Sequence, residues 1–211
     1  VEMGGEGDVS VRGIVQGGHH ATITTHDGDV TVSRTANVSI TSEGEVTIVS
    51  GIKDGGSGDV SVEGTIRADV ENGKILVSSG YGKGASGDVD VSGDVFARSV
   101  VFAQAGTGEG ATGDLTIGGG SKFIAGKDGG SGASALLYTG AGDITVEKGA
   151  VVEAKGGAAH VNAVAGFNNG TRGDIAVAGI VRATGADGRV NLLASYGKGS
   201  QGGIDVSGSV E

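Results

Sequence analysis

The chain has no cysteine, no proline and no tryptophan, and only 3% of its 211 residues are aromatic. Without cysteine there is no disulfide scaffold, no thiolate metal site and no cysteine nucleophile. The lack of proline and of a three-residue glycine period excludes a collagen helix. No run of about 18 apolar residues occurs, so we predict no membrane insertion. A net charge of -10 and few aromatics argue against nucleic-acid binding.

Glycine is abundant, with 46 residues where an average protein of this length has about 15. The dipeptide Gly-Asp, followed by alternating apolar residues, recurs at positions 7, 28, 58, 87, 113, 142 and 173. An eighth copy, at position 202, has Gly203 in place of the aspartate. The spacing lies between 21 and 31 residues and is mostly near 29, which is typical of a solenoid.

Each repeat has the period-2 pattern of three short strands separated by turns. In residues 58–86 these strands are DVSV, TIRA and KILVSS, and a loop of sequence GYGKGAS leads to the next Gly-Asp. Such strands bury a core only when repeats stack. The sequence therefore predicts an all-β, right-handed parallel β-helix of about seven rungs of ~29 residues with three strands per rung. We expect 1–211 to be one β-helix segment and a fragment of a longer array, because solenoids need capping elements.

Aligning the third strands predicts which side chains face the interior. The expected inward residues are large, then large or small, then small in every rung: Val46, Ile48, Ser50; Ile75, Val77, Ser79; Val101, Ala103, Ala105; Val161, Ala163, Ala165; Val190, Leu192, Ala194. The outward position between the first two is mixed: Thr47, Leu76, Phe102, Asn162 and Asn191. A consistent inside and a mixed outside are what a buried stack requires.

The aspartates of the Gly-Asp pairs should form a row along one edge. They are Asp8, Asp29, Asp59, Asp88, Asp114, Asp143 and Asp174. One interpretation is a row of Ca²⁺ ligands. The other is that each carboxylate caps backbone N–H groups at its own corner, as aspartate does in turns. We favour the second, because the spacing departs from the calcium-binding GGxGxDxUx repeat, and we predict no metal and no cofactor.

A second column of larger side chains follows the third strands. It contains Ile52, Tyr81, Thr107, Tyr138, Phe167 and Tyr196, and Tyr138 enters it only with a one-residue gap. Tyr81, Tyr138, Phe167 and Tyr196 could form a stacking platform for a sugar or a protein partner. The alternative, which we favour, is that these side chains pack on one another and hold the return loops.

Two short motifs have known ligands or modifications. Arg172, Gly173 and Asp174 spell the integrin tripeptide, but Gly-Asp recurs for structural reasons and we expect Asp174 to be held in its corner. Asn37 and Asn169 each begin an N-x-[ST] acceptor for glycosylation, a match that a chain rich in serine and threonine produces by chance.

Catalysis is not expected. Carboxylates are strung along an edge, basic residues are scattered, and no loop is long enough to build a cleft. The sequence has no G-x-S-x-G, H-E-x-x-H or P-loop motif. We therefore predict no catalytic residues, while a β-helix polysaccharide lyase or hydrolase is kept as a second alternative.

The segments GDVSVEGTIRA, NGKILVSSGYGKGASGDVDVSG and GDIAVAGIVRATGADGRVNLLASYGKGSQGGIDVSG resemble the repeat region of filamentous-haemagglutinin-like exoproteins. These are large adhesins that Gram-negative bacteria export by two-partner secretion. The resemblance covers almost the whole chain. It implies a β-helical rod, secretion to the cell surface, and a role in adhesion, biofilm or aggregation. It brings no catalytic residues.

Two hypotheses follow. The first is a structural rod or stalk segment of a secreted adhesin. It would pass through an outer-membrane transporter during export and bind a host-cell or matrix glycan or receptor, or itself. The alternative is a glycan- or receptor-binding β-helix module.

Overall fold

The computed structural model describes residues 2–211, so Val1 of the predicted 1–211 segment lies outside the described residues. The described residues contain strands and no helix. Strand β1 (Glu2–Gly5) precedes rung one. Rungs one to four are β2 (Val9–Val11), β3 (Ile14–Gly17), β4 (His20–Thr25); β5 (Val30–Val32), β6 (Asn37–Ile40), β7 (Glu45–Val49); β8 (Val60–Val62), β9 (Thr65–Ala68), β10 (Lys74–Ser79); β11 (Val89–Val91), β12 (Asp94–Ala97), β13 (Val100–Ala105). Rungs five to seven and the beginning of an eighth are β14 (Leu115–Ile117), β15 (Lys122–Ala125), β16 (Ser134–Thr139); β17 (Ile144–Val146), β18 (Val151–Lys155), β19 (His160–Ala165); β20 (Ile175–Val177), β21 (Ile180–Thr184), β22 (Arg189–Ala194); β23 (Ile204–Val206), β24 (Ser209–Val210).

The strands form three parallel sheets, and each sheet has eight strands. Sheet B contains the first strand of every rung, sheet C the second, and sheet A the third together with β1. Every strand pairs in parallel with its equivalents in the adjacent rungs. Ile75, for example, pairs with Val46 below it and Val101 above it. The predicted three-sided parallel β-helix is confirmed.

The interior is a continuous stack of aliphatic side chains, and the predicted third-strand alignment is confirmed. The predicted inward residues from Val46 to Ala165 are buried, whereas Val190, Leu192 and Ala194 are partly buried because only two further strands lie beyond them. Rung five departs from the pattern. Phe123 is fully buried at a position where its neighbours in sheet C are Val95 and Val152. The third strand of the same rung has Ala135 where the adjacent rungs have Val101 and Val161.

The corners between sheets A and B, here called return loops, differ in length. They contain nine or ten residues in rungs two, three, four, six and seven, but only four in rungs one and five, at residues 26–29 and 140–143. The same type of hydrogen bond closes a return loop of each length. The hydroxyl of Ser79 donates to the carbonyl of Gly87 across a long loop, and that of Thr139 to the carbonyl of Gly142 across a short one, both at 2.5 Å. A small hydroxyl residue at the end of the third strand thus closes a long corner in rung three and a short one in rung five, whereas rungs four and six have Ala105 and Ala165 at this position.

Candidate functional site

The Gly-Asp aspartates form an unbroken chain of hydrogen bonds along one edge of the rod. The Oδ1 atom of each aspartate accepts the backbone N–H of the equivalent residue one rung further along, at 2.6 to 3.0 Å. The row begins with Asp8, which accepts from Asp29, and ends with Asp174, which accepts from Gly203. The structure thus corrects one part of the sequence interpretation, because each carboxylate caps the next rung rather than its own corner.

This arrangement explains the regularity of the aspartates without a ligand. Each backbone N–H of the row points toward the rung below it, and an aspartate there is short enough to reach that N–H group. At the eighth position Gly203 still donates although it has no carboxylate of its own. Within residues 2–211, no group of three or more His, Asp or Glu side chains is arranged to hold a metal ion.

The aromatic side chains do not form the single column that the alignment predicted. Tyr138 lies inside β16, where its residue pairs with Gln104 and Val164. It therefore projects from the outer face of sheet A rather than from a return loop, and its predicted place in the column is wrong. The error arises because rung five has a four-residue return loop, which offers no position equivalent to that of Tyr81.

Four aromatic rings nevertheless form a continuous cluster, which we call the aromatic cluster: Phe102, Tyr138, Phe167 and Tyr196. The ring centroids of Phe102 and Tyr138 are 5.3 Å apart and nearly perpendicular, and those of Tyr138 and Phe167 are 6.4 Å apart in the same manner. Phe167 and Tyr196 are stacked in parallel at 5.7 Å. Tyr81 has no ring contact within residues 2–211 and is 57% exposed. The rings thus pack on one another, as the favoured interpretation expects, with Tyr81 as the exception.

Three rings of the aromatic cluster border a shallow groove of about 290 Å³. Phe102, Gln104, Thr107, Tyr138 and Phe167 line the groove. The Tyr138 hydroxyl accepts a 2.6 Å hydrogen bond from the Asn162 amide. The hydroxyl of Thr107 and the Oδ1 atom of Asn162 are buried and have no hydrogen-bond partner within residues 2–211. The sequence did not predict this groove, because long loops are the usual signal of a cleft, whereas here a shortened loop leaves the gap.

The Arg172-Gly173-Asp174 tripeptide lies in a corner of the stack. Gly173 is buried and its N–H donates to the carbonyl of Gln201. The carbonyl of Arg172 accepts from Gly142, and the carboxylate of Asp174 accepts from Gly203 at 2.6 Å. Asp174 is therefore held in its corner, as the sequence predicted.

The two candidate glycosylation asparagines are both exposed but differ in setting. Asn37 is the first residue of β6. Asn169 lies in the return loop of rung six, and its side-chain oxygen accepts the backbone N–H of Lys198 at 2.8 Å. Glycosylation of either residue stays a prediction.

Comparisons with protein-family models, with curated proteins and with solved structures return no match to this chain. The resemblance to filamentous-haemagglutinin-like repeats therefore rests on the sequence pattern. The structure contains no helix within residues 2–211 that has the length and apolar character to span a bilayer.

Proposed function

We propose that this chain is a structural rod segment of a large secreted bacterial surface adhesin and has no catalytic activity of its own. The observation that carries the proposal is the in-register pairing of equivalent strands through all three eight-stranded sheets. A stack in which each rung contacts only its neighbours can be extended by adding further rungs, which suits a stalk. The resemblance to filamentous-haemagglutinin-like repeats supports the same role, with export through an outer-membrane transporter and a place at the cell surface.

The composition is consistent with that route. A chain without cysteine can cross an oxidising compartment unfolded without being trapped by disulfides. A net charge of -10 favours solubility after release. The parallel pairing also means that each new rung has a template in the rung before it.

Export is the experiment that tests the proposal. The chain would be joined to the signal domain of a two-partner-secretion exoprotein, and its appearance outside the cell would be measured with and without the partner transporter. We expect export that depends on the transporter and a protease-resistant product. Retention inside the cell, or export without the transporter, would contradict the proposal.

A matched control uses Ser61 and Asp90, which pair directly on adjacent strands of sheet B with side chains facing outward. Replacing both with cysteine places two thiols within disulfide range. We expect the oxidised variant to stall in the transporter and a reductant to restore its export. The single variant Ser61→Cys should be exported like the parent chain.

A glycan-binding module is the second candidate, and the parallel stack of Phe167 and Tyr196 is the observation that favours it. Their side chains are 48% and 63% exposed, and exposed aromatic faces are common contacts for sugars. A glycan array with and without Ca²⁺ tests this candidate. Saturable binding that Tyr196→Ala abolishes without unfolding the rod would support this candidate. The absence of binding in both conditions would reject it and leave the structural rod as the proposed function.

A further inference from the structure

The long return loops follow one nine-residue pattern and pair with each other wherever they are neighbours in the stack. We name them by rung: loop three (80–88), loop four (106–114), loop six (166–174) and loop seven (195–203). Between loops three and four, the N–H of Gly84 donates to Glu109 at 2.8 Å and that of Thr112 to Ala85 at 3.0 Å. Loops six and seven repeat these bonds, from Gly170 to Lys198 and from Gln201 to Thr171, both at 3.0 Å.

The short return loop of rung five interrupts this pairing. Loops four and six face each other across the gap, which we call the fifth-rung notch. The equivalent groups there have no backbone partner within residues 2–211: the N–H of Gly110 and the carbonyl of Ala111 on one side, and the N–H of Arg172 and the carbonyl of Asn169 on the other. These are two donors and two acceptors placed as one more loop would need them.

The groove within the aromatic cluster is the place that the second residue of the absent loop would occupy. Thr107 and Phe167 are the second residues of loops four and six, and both line the groove. In loop seven the second residue is Tyr196, and its ring stacks in parallel on Phe167. An aromatic side chain in the groove would contact Phe167 on the side opposite to Tyr196.

Because rung five has no long loop, the side chain of Asn168 occupies part of the fifth-rung notch. It is the third residue of loop six, where loops three, four and seven have Gly82, Gly108 and Gly197. A side chain at any of these glycines would collide with the backbone of the loop below, at 2.1 to 2.3 Å from a carbonyl oxygen. Asn168 is tolerated because rung five has no such loop, and its amide reaches across the notch to the carbonyl of Gly108 at 3.1 Å.

We propose that the fifth-rung notch binds a Gly-Tyr-Gly-Lys-Gly-Ala-Ser segment of a partner protein as a replacement for the absent loop. The segment would add main-chain hydrogen bonds to the four unpaired groups and place its tyrosine against Phe167, while the Asn168 amide is displaced. Adding an extended peptide to unpaired backbone groups is an established mode of recognition. A lysine at the fourth position of the segment is favoured, because Glu109, the fourth residue of loop four, already pairs with Lys83 of loop three at 3.1 Å.

The probe is a blocked synthetic peptide with the sequence Gly-Tyr-Gly-Lys-Gly-Ala-Ser, and calorimetry with the whole chain measures its binding. We expect one saturable site, with binding lost when the peptide tyrosine is replaced by alanine. Phe167→Ala should weaken binding about tenfold, because one aromatic contact is lost. Asn168→Gly should strengthen binding, because it opens the notch. Ile52→Ala, at the same loop position far from the notch, should change nothing.

A loop-insertion variant keeps the test independent of ligand choice. Inserting Tyr-Gly-Lys-Gly-Ala between Gly140 and Ala141, in the Asn168→Gly background, rebuilds a nine-residue loop in rung five. We expect this variant to fold with unchanged circular dichroism and to bind no peptide. The proposal is overturned if the parent and the Asn168→Gly chains show no saturable binding, or if binding survives in the insertion variant. Displacement of the peptide by a neutral sugar would also overturn it, because it would identify the groove as a glycan site.

Discussion

The third and fifth rungs belong to one stack, but they close it in different ways. Rung three has Ile66 inside sheet C and a nine-residue return loop, whereas rung five has Phe123 at the equivalent position and a return loop of four residues. Both nevertheless keep the strand register and contribute an aspartate, Asp59 and Asp114, to the same edge. The comparison teaches that register depends on the inward side chains and the Gly-Asp edge, while the corners are free to vary and decide what the surface can do.

The interior of rung five offers the largest test of this comparison. Phe123→Ala should lower the free energy of unfolding by about 3–5 kcal/mol, because it leaves a cavity in a fully buried site. Ile66→Ala, the rung-three equivalent, should cost about 2–5 kcal/mol. Urea denaturation followed by circular dichroism measures both losses.

The same site tests whether Phe123 and Ala135 compensate each other in volume. Phe123→Val alone should be destabilising, and adding Ala135→Val should recover a substantial part of the loss, since the rung would then resemble its neighbours. A double variant that is less stable than Phe123→Val would show that the two positions do not share space.

The Gly-Asp edge should respond alike in both rungs. Asp59→Ala and Asp114→Ala each remove an acceptor from the N–H of the next rung, and each should cost about 1 kcal/mol. Asp59→Asn and Asp114→Asn retain an acceptor oxygen and should cost less. The donating N–H groups lie in different corners, since Asp88 ends the long return loop of rung three and Asp143 the short one of rung five. A large difference between the two variants in denaturant midpoint would mean that the edge depends on the length of the loop that contains the donor.

Much of this architecture was predictable from the sequence, because stacking imposes a repeat on residues such as Val77 and Asp88. The inward columns and the Gly-Asp corners carry that signal directly. Tyr138 was misplaced because the alignment assigned it to a return-loop position that the shortened loop of rung five does not have. The notch was not predictable for a related reason. Its four unpaired backbone groups belong to loops with ordinary sequences, and only their neighbour is missing.

The corner between sheets C and A in rung three gives an acid-dependent test. Burial alone would raise the pKa of Asp69, but hydrogen bonds and charges from Arg67 and Arg98, each at 2.7 Å, lower it below its ordinary 3.8. A lowered pKa stabilises the fold above pH 3.8, and the contribution is lost as the pH falls through the folded value. Asp69→Asn should therefore cost about 0.5 kcal/mol at pH 7, with a smaller difference at pH values below the ordinary pKa.

Asp90, on the outer face of sheet B, should give the smallest change in stability, and its pH dependence is opposite to that of Asp69. Burial raises the pKa of Asp90 above its ordinary 3.8, and the charges of Glu147 and Glu63 raise it further. A raised pKa means that folding is favoured by the protonated form, so stability falls as the pH rises from 3.8 through the folded value. Asp90→Asn should then stabilise the rod at pH 7, by no more than about 0.5 kcal/mol, and have no such benefit well below pH 3.8. Denaturant midpoints of the parent and the Asp90→Asn chain, measured at pH 7 and well below pH 3.8, test this prediction. A gain that is equal at both pH values would assign the effect to packing beside Ser61 and Thr116, the residues paired with Asp90 in sheet B.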